Sequence, residues 1–519
     1  MRTTWGRFFS LVLAVLGQTP ALAHAAEKLN VLLIISDDLR PELGCYGSPL
    51  GKSPHIDALA ASGVRFDRAY CQFPLCNPSR VSMLNSRQPV TTGIIDNRKN
   101  FRDTHPEFVS LPQHFKAHGY ATLRTGKIFH GGIDDPLAWT EGGDRPGPRP
   151  AADDQAKRGE RGGARVLMVQ NPPAPAEGKG QGNGRPLTRA ERSDRWLVLE
   201  GNGENHGDYN TADRAIAFLN KYKDQTFFLA CGFAKPHSPP TAPRKYYDLY
   251  DPAAIPLPPD FAPRPTVPPG FPRGAIRPRN ADLFIGRDAT PQAAREMIRA
   301  YLASVAWMDW NTGRVLAELD RLGLRDKTVI VFWGDHGYQL GEKGKWSKAG
   351  SVWEKGTRVP LIVAAPGSRG NGRACSRVVQ SVDIYPTLAD LCGLPQPNGL
   401  EGASLAPLLA DPAAPWDRPA YSAWSEDGRH FTAVAVRTET WRYAEFDGGK
   451  GGAMLLDPKA DPDELENLAD DPQYKSVRAE LSTLVQKYGA GAYAGAATSP
   501  RDGDDNSDTG TVHDEKGHP

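Results

Sequence analysis

Four apolar runs in this chain end in charged or titratable side chains, and this pattern limits the possible folds more than any other feature. Residues 29–35 are apolar apart from Asn30, rich in Val, Leu and Ile, and stop at Ser36-Asp37-Asp38. The segment 119–126 leads to Lys127 and His130, the run 226–233 to Lys235-Pro236-His237, and 328–333 to Asp335-His336. A continuous apolar run of this length reads as a strand buried on both faces, the mark of a parallel sheet covered by helices. A fifth run, 359–364, ends instead at Pro366-Gly367. Helical patterns alternate with these runs. Ile56, Leu59 and Ala60 are helically spaced within 54–63, with Gly63 as the expected C-cap. From 292 to 322, Ile298, Leu302, Val305, Met308, Val315, Leu319 and Leu322 recur every three, four or seven residues, which predicts a long amphipathic helix. The expected fold is therefore α/β, a large mostly parallel sheet sandwiched by helices. Open sheets of this kind bind ligands beyond the carboxyl ends of their strands, so Asp37, Asp38, Lys127, His130, His237, Asp335 and His336 are expected to share one site.

The rest of the chain divides by composition. Arg2 and Arg7, an apolar stretch over 8–16 and the small-residue pattern Ala21-Leu22-Ala23-His24-Ala25-Ala26 predict a signal peptide over 1–25 and a periplasmic or secreted protein. The stretch falls short of the roughly 20 residues of a spanning helix, and no later one reaches it, so no membrane insertion is expected. The main domain is expected over 26–397, with insertions near 141–195 and 252–278, where Gly and Pro are dense and no period appears. A small C-terminal α+β subdomain follows over 398–495, with strands at 431–437 and 440–446 and a helix over 473–488; 496–519 is a polar tail expected to be disordered. A net charge of +1 excludes the basic excess of a nucleic-acid binder. Six Cys do not make a disulfide scaffold, and if Cys76 is modified, Cys45, Cys71, Cys231, Cys375 and Cys392 leave an odd number.

Asp37-Asp38 and Asp335-His336 together offer several hard oxygen ligands and one imidazole, enough to hold a divalent cation. The oxygen-rich set suits Ca²⁺ or Mg²⁺, while the His leaves Zn²⁺ or Mn²⁺ open. Taken alone, Cys76-Asn77-Pro78-Ser79-Arg80 reads as a buried Cys before a turn-forming Pro and a helix start.

In combination these pieces resemble the type I, formylglycine-dependent sulfatases of the alkaline phosphatase superfamily, most closely the iduronate-2-sulfatase-like branch. The resemblance rests on the stretch from Asn30 to Asp38, Ser53-Pro54-His55-Ile56-Asp57, Cys76 to Arg80, Gly126-Lys127-Ile128-Phe129-His130, Lys235-Pro236-His237, Gly334-Asp335-His336-Gly337 with Leu340-Gly341-Glu342, and Val382-Asp383-Ile384-Tyr385-Pro386-Thr387. It implies that a formylglycine-generating or sulfatase-maturating enzyme oxidises Cys76 to formylglycine, whose hydrate has one hydroxyl to attack sulfur and one to expel sulfate. It also implies one Ca²⁺ on Asp37, Asp38, residue 76, Asp335 and His336. Arg80 would stabilise the hydrate, Lys127 and Lys348 clamp sulfate oxygens, His237 protonate the leaving oxygen, His130 take the proton of the second hydroxyl, and Asp335 serve as base. Two departures stand out: Leu84-Asn85-Ser86-Arg87 replaces the family's Leu-Thr-Gly-Arg element, and His336 stands where most sulfatases have Asn. The expected protein is an exported hydrolase of sulfate monoesters on sugars, acting from the end of an oligosaccharide or glycosaminoglycan-like glycan. The alternatives are a phosphonate or phosphate-ester hydrolase on the same scaffold, and a sulfated-glycan-binding protein in which Cys76 stays unoxidised. Arg98, Lys99 and Arg102 form a charged loop that either is simply solvated or contacts a carboxylate or second sulfate of the substrate.

Overall fold

The computed structural model describes residues 1, 28–144, 166–170 and 193–490. The expected signal segment beyond Met1, most of the 141–195 insertion and the tail from 496 lie outside these residues. In chain order the strands are β1 (Asn30–Asp37), β2 (Val64–Tyr70), β3 (Ala121–Gly126), β4 (Val166–Gln170), β5 (Trp196–Leu199), β6 (Phe227–Pro236), β7 (Thr241–Pro243), β8 (Thr328–Gly334), β9 (Arg358–Ala364) and β10 (Ala374–Gln380), then β11 (Ala420–Trp424), β12 (Ala433–Arg437), β13 (Arg442–Phe446) and β14 (Ala453–Leu456). The helices that matter below are α1 (Pro54–Ala61), α2 (Cys76–Asn85), α3 (Leu111–Ala117), α4 (Gly207–Tyr222), α5 (Pro291–Arg321), α6 (Ile384–Leu391) and α7 (Lys475–Gly489).

A seven-stranded sheet in the order β10-β2-β9-β8-β1-β6-β3 forms the body. Its continuous apolar strands follow from burial on both faces. In β1, Leu32 and Ile34 enter one core with Met297, Tyr301 and Met308 of α5, whereas Val31, Leu33 and Ile35 enter the other with residues of α2, α3 and α6. Each such side chain is worth about 1.5–3 kcal/mol in burial. The pairs β1–β8, β1–β6, β3–β6 and β10–β2 are parallel. Only β9 runs against its two neighbours, β8 and β2. Its carboxyl end therefore lies at the opposite edge of the sheet from the others, which accounts for a run that ends in Pro366-Gly367 with no titratable residue.

Helix α5 spans the expected amphipathic stretch, starting at Thr290, whose hydroxyl accepts from Ala293 N at 3.2 Å. Helix α1 ends at Ala61, with Ser62 rather than Gly63 at its C-cap. Gly63 answers a packing need instead, since a Cβ there would lie 2.9 Å from Val363 O. Strands β2 and β10 carry no strong period and are legible only in the structure, whereas helix α4 buries Ala212, Ala215, Phe218, Leu219 and Tyr222 at helical spacing, a signal the sequence reading missed. Within the expected insertion, β4 pairs with β5, which pairs with β7 in a three-stranded sheet. Among the described residues, no helix is long and apolar enough to cross a membrane.

The C-terminal subdomain is an antiparallel sheet, β11-β12-β13-β14, onto which α7 packs Leu481 and Val485. It is fastened to the main domain by Arg442 of β13, which is 1% exposed. The guanidinium donates to Val352 O at 3.0 Å and to Glu354, and its Nε lies 3.0 Å from Glu464 Oε1. Burial by itself would raise the Glu354 pKa, but Arg442, Arg358 and Arg437 outweigh it and hold the carboxyl at about 2. A carboxylate depressed in the folded state stabilises that state above its unfolded pKa of 4.5 and loses the contribution as pH falls toward 2. Arg442→Met should cost about 3–5 kcal/mol in urea denaturation at pH 7, because two buried carboxylates lose their shared cation. Below about pH 4.5 the gap between wild type and variant should narrow.

Candidate active site

The strand order brings the expected residues together. β8, β1, β6 and β3 are adjacent and parallel, so Asp335-His336, Asp37-Asp38, Lys235 to His237 and Lys127 follow one another along a single sheet edge. Local backbone features aim them. Asp38 sits at φ 61°, a left-handed conformation that costs a non-glycine residue energy and turns its carboxylate back toward that of Asp37. Its amide donates to Asp335 Oδ1 at 3.0 Å. A register shift after Ser36 sets Asp37 opposite Pro236, one residue before His237. Gly126, at φ 71°, lets β3 pass so close to β6 that a Cβ would lie 2.0 Å from Gly232 O, and Lys127 N donates to that same oxygen at 2.9 Å.

Helix α2 brings the remaining components. β2 ends at the same edge as β8, and the chain then enters α2 with Cys76 as its first residue and Arg80 one turn on. Cys76 Sγ lies 3.1 Å from Asp37 Oδ1 and 3.1 Å from His336 Nε2, at the positive end of the helix dipole. Arg80, fully buried, donates to Asp335 Oδ2 at 2.9 Å, Asp37 Oδ1 at 3.1 Å, Ile128 O at 3.0 Å and Lys127 O. Lys127 Nζ reaches Asp37 Oδ2 at 2.7 Å and Lys348 Nζ reaches Asp38 Oδ2 at 3.1 Å. Lys348 thus belongs to the site, rather than to a basic surface loop. His237 joins the same group, with a ligand atom within 4.8 Å of those of Asp37, Asp38 and Cys76. His130 is half-buried in the loop after β3, where its carbonyl accepts from Ile133 N.

The donor set fits a hard divalent cation. Ligand atoms of Asp37, Cys76, Asp335 and His336 lie within 4.8 Å of one another, all from buried residues. Among the described residues Asp38 Oδ1 is buried and accepts no hydrogen bond, an oxygen turned to the cluster without a proton donor. His336 Nδ1 donates to Gly337 O at 2.9 Å, which leaves the Nε2 lone pair directed at the carboxylates, 3.4 Å from Asp38 Oδ1 and 3.6 Å from Asp335 Oδ2. Burial and the charge of Asp37 push Asp335 up to about 6. Asp37 itself, although burial acts to raise it, is held well below the carboxylate range by Lys127 and Arg80. Three carboxylates this close repel one another unless a cation shares them.

Two contributors escaped the sequence reading. Asp282, in the loop before α5, lies 3.6 Å from Lys348 and gives its ammonium group a second buried carboxylate beside Asp38. Its Ala-Asp-Leu context carries no signal. The other is Lys235 of the Lys-Pro-His motif, whose Nζ donates to His237 O at 2.8 Å and Pro239 O at 2.9 Å and so frames the turn that carries His237. The charged loop splits: Arg102 is bound to Asp135, Phe108 O and Gln113, a structural tie, whereas Arg98 and Lys99 are exposed. A Ca²⁺ titration read by thermal denaturation should stabilise the wild type by about 2–3 kcal/mol at a hundredfold excess over Kd. Asp38→Ala should abolish that response.

The chain matches the family model described as Sulfatase over residues 29–394, and the one described as N-sulphoglucosamine sulphohydrolase, C-terminal, over 341–490. It is 33% identical to iduronate 2-sulfatase of Homo sapiens over 435 residues, which covers 76% of this chain and 74% of that one. Two solved structures share the fold. One, in complex with its substrate D-glucosamine-2-N,6-O-disulfate, is 20% identical with a TM-score of 0.67, covering 90% of this chain and 98% of that one. The other, phosphonate monoester hydrolase of Agrobacterium radiobacter, is 22% identical with a TM-score of 0.68, covering 89% and 96%. With its formylglycine motif at the head of α2 and its acidic cluster at the sheet edge, the chain belongs to the sulfatase family and is a sulfuric ester hydrolase.

Proposed function

We propose that this protein is an exported sulfatase that removes sulfate from sugars, acting from the ends of sulfated oligosaccharides, with residue 76 as formylglycine made by a maturation enzyme. One observation carries the reading: Cys76 Sγ stands 3.1 Å from both Asp37 and His336, within a buried cluster that also holds Arg80, Lys127 and Lys348. That is a nucleophile position surrounded by groups suited to a divalent cation and to an oxyanion. Bound by Asp37, Asp38, residue 76, Asp335 and His336, Ca²⁺ would polarise a sulfate oxygen and favour ionisation of the attacking hydroxyl.

The chain's own residues do the rest. Lys127 and Lys348 project their ammonium groups to opposite carboxylates, Asp37 and Asp38, so a sulfate between them meets positive charge from two sides. Such charge, already in place and out of water, is the largest single source of rate in most ester hydrolyses. Arg80 holds Asp37 and Asp335 as carboxylates next to the nucleophile. Asp335 accepts the proton of the attacking hydroxyl. His237 donates Nδ1–H to Ser238 O at 2.7 Å, so its Nε2 is the nitrogen that passes a proton to the departing sugar oxygen. His130 takes the proton of the second hydroxyl as sulfate leaves and the aldehyde returns.

The first test is the mass of the peptide spanning residue 76, after iodoacetamide treatment, from protein made alongside a maturation enzyme: an aldehyde about 18 Da below the unalkylated Cys form, or its hydrate with no iodoacetamide uptake, supports the reading, and a peptide alkylated at residue 76 favours the glycan-binding alternative. On the converted enzyme, His237→Ala should lower kcat about 10²–10⁴-fold on a sugar sulfate, whose alkoxide needs a proton, and far less on 4-nitrophenyl sulfate, whose leaving group does not. Faster turnover of a phosphonate or phosphate monoester than of the matched sulfate would reassign the substrate class.

A further inference from the structure

Two loops, one from each part of the molecule, meet beside the nucleophile with unusual economy of charge. In the first, Asp96 Oδ1 accepts from Arg98 N at 2.8 Å and Lys99 N at 3.0 Å, a tight turn closed by its own side chain. The turn is locked to the residue after the nucleophile: Asn77 Nδ2 donates to Asp96 O and Lys99 O, each at 2.8 Å, and Asn77 N donates to Asn97 Oδ1 at 3.0 Å. In the second loop, between β11 and β12, Asp427 Oδ1 accepts from Arg429 N at 2.8 Å and His430 N at 2.9 Å. The two turns abut at Gly428, where a Cβ would lie 3.7 Å from Asp96 Oδ2 and 3.9 Å from an Arg98 guanidinium nitrogen. Leu75 and Ala349, the sequence neighbours of Cys76 and Lys348, share one apolar cluster with Ile95, Trp424 and Phe431. Both turns are therefore rooted in the wall of the active site.

Their charges do not cancel. Glu426 is paired with Arg277 at 2.7 Å and Asp427 with His430 at 2.8 Å, while Asp96 accepts from backbone amides through Oδ1 and leaves Oδ2 near Gly428, so Arg98, Lys99, Arg277 and Arg429 face three carboxylates. Arg98, Lys99 and Arg429 have no carboxylate partner among the described residues, and Arg98 and Lys99 are exposed. The Asn97 amide nitrogen is buried without an acceptor among the described residues, a donor fixed beside Asn77. Three cations and an unused amide donor are thus carried on two turns whose bases adjoin the residue after Cys76, the donor chemistry that an oxyanion needs.

We infer that Asn97, Arg98, Lys99 and Arg429 form a subsite for a second acidic group of the substrate, a carboxylate or a further sulfate, and so select sugars with two negative charges over monosulfated ones. This deepens the sulfate-ester reading above and rests on it. It also gives the C-terminal subdomain a part in choosing the substrate, through Arg429.

Binding to the full chain with Cys76 left unconverted tests this without turnover. The calorimetric probes are a disaccharide of 2-sulfated uronate and 6-sulfated hexosamine, its carboxyl-reduced form, its form lacking the 6-sulfate, and galactose 6-sulfate. The wild type should prefer the complete disaccharide by about tenfold or more over galactose 6-sulfate and over whichever trimmed form lacks the recognised group, which identifies that group. In the double variant Arg98→Ala with Arg429→Ala, checked for folding by its thermal midpoint, that preference should fall to about twofold or less. The inference is overturned if the double variant keeps the wild-type preference, or if the wild type fails to bind the complete disaccharide or to distinguish it from both trimmed forms. Absence of sulfate release from converted enzyme, by contrast, counts against the hydrolase reading and leaves the binding result standing.

Discussion

The guanidinium of Arg80 is the interaction on which the site depends. It is fully buried, and it joins the carboxyl ends of three strands: Asp37 of β1, Asp335 just after β8, and the carbonyls of Lys127 and Ile128 beyond β3. Placing a charge in a protein interior costs several kcal/mol per ion unless each polar atom finds a partner, and here the planar fork of Arg meets that condition where a Lys could not. Because Arg80 lies one turn along α2 from Cys76, the same contacts that satisfy it also fix the head of the helix. The nucleophile is thus located by an ion-pair network, together with the hydrogen bonds of Asn77 to the loop at Asp96.

Around that hub, other buried pairs hold each catalytic loop to a neighbour. The loop after β8 is tied to the loop after β1 by Glu342, 2.7 Å from Arg40. The turn with His237 is framed by Lys235, while Asp208 of α4 accepts from the amides of Ala234 and Lys235 at 2.9 Å each. Burial lowers Lys235 to about 8, although Asp208, Asp37 and Asp38 act to raise it. Lys348 is paired with two carboxylates, Asp38 and Asp282. Charged groups held in this way need little rearrangement when a sulfate enters, which is the condition under which electrostatics accelerate a reaction. The C-terminal subdomain extends this arrangement outward: Arg442 fastens it against Val352 and Glu354, a few residues from Lys348, so its β11–β12 loop is positioned by the same packing that shapes the pocket.

Much of this was legible before any coordinates. The apolar runs predicted β1, β3, β6, β8 and β9, and the period of 292–322 predicted α5 to within a residue at each end. Residues just past strand ends were expected to converge, and Asp37, Asp38, Lys127, His237, Asp335 and His336 do so around Cys76, Arg80 and Lys348. Where the reading fell short, the local signal was weak or absent. β2 alternates imperfectly, with Arg65, Asp67 and Arg68 among its apolar residues, because one side is only partly covered. Gly63 has the look of a helix cap, yet a backbone contact with β9 governs it. Asp282 lies in an aperiodic loop, and only the folded chain brings it to Lys348.

The sequence by itself determined the strand cores, the long helix and the chemical kinds of side chain at each strand end, because periodicity and residue type are local properties. It also marked the oxidation motif at Cys76, since that motif is contiguous. Tertiary structure alone decided strand order, the reversal of β9, the sharing of Arg80 between two aspartates, and the meeting of the Asp96 and Asp427 turns. These are contacts between residues tens to hundreds of positions apart. Their energies come from burying charges in a common interior, a cost and a compensation that exist only once the chain has closed around them.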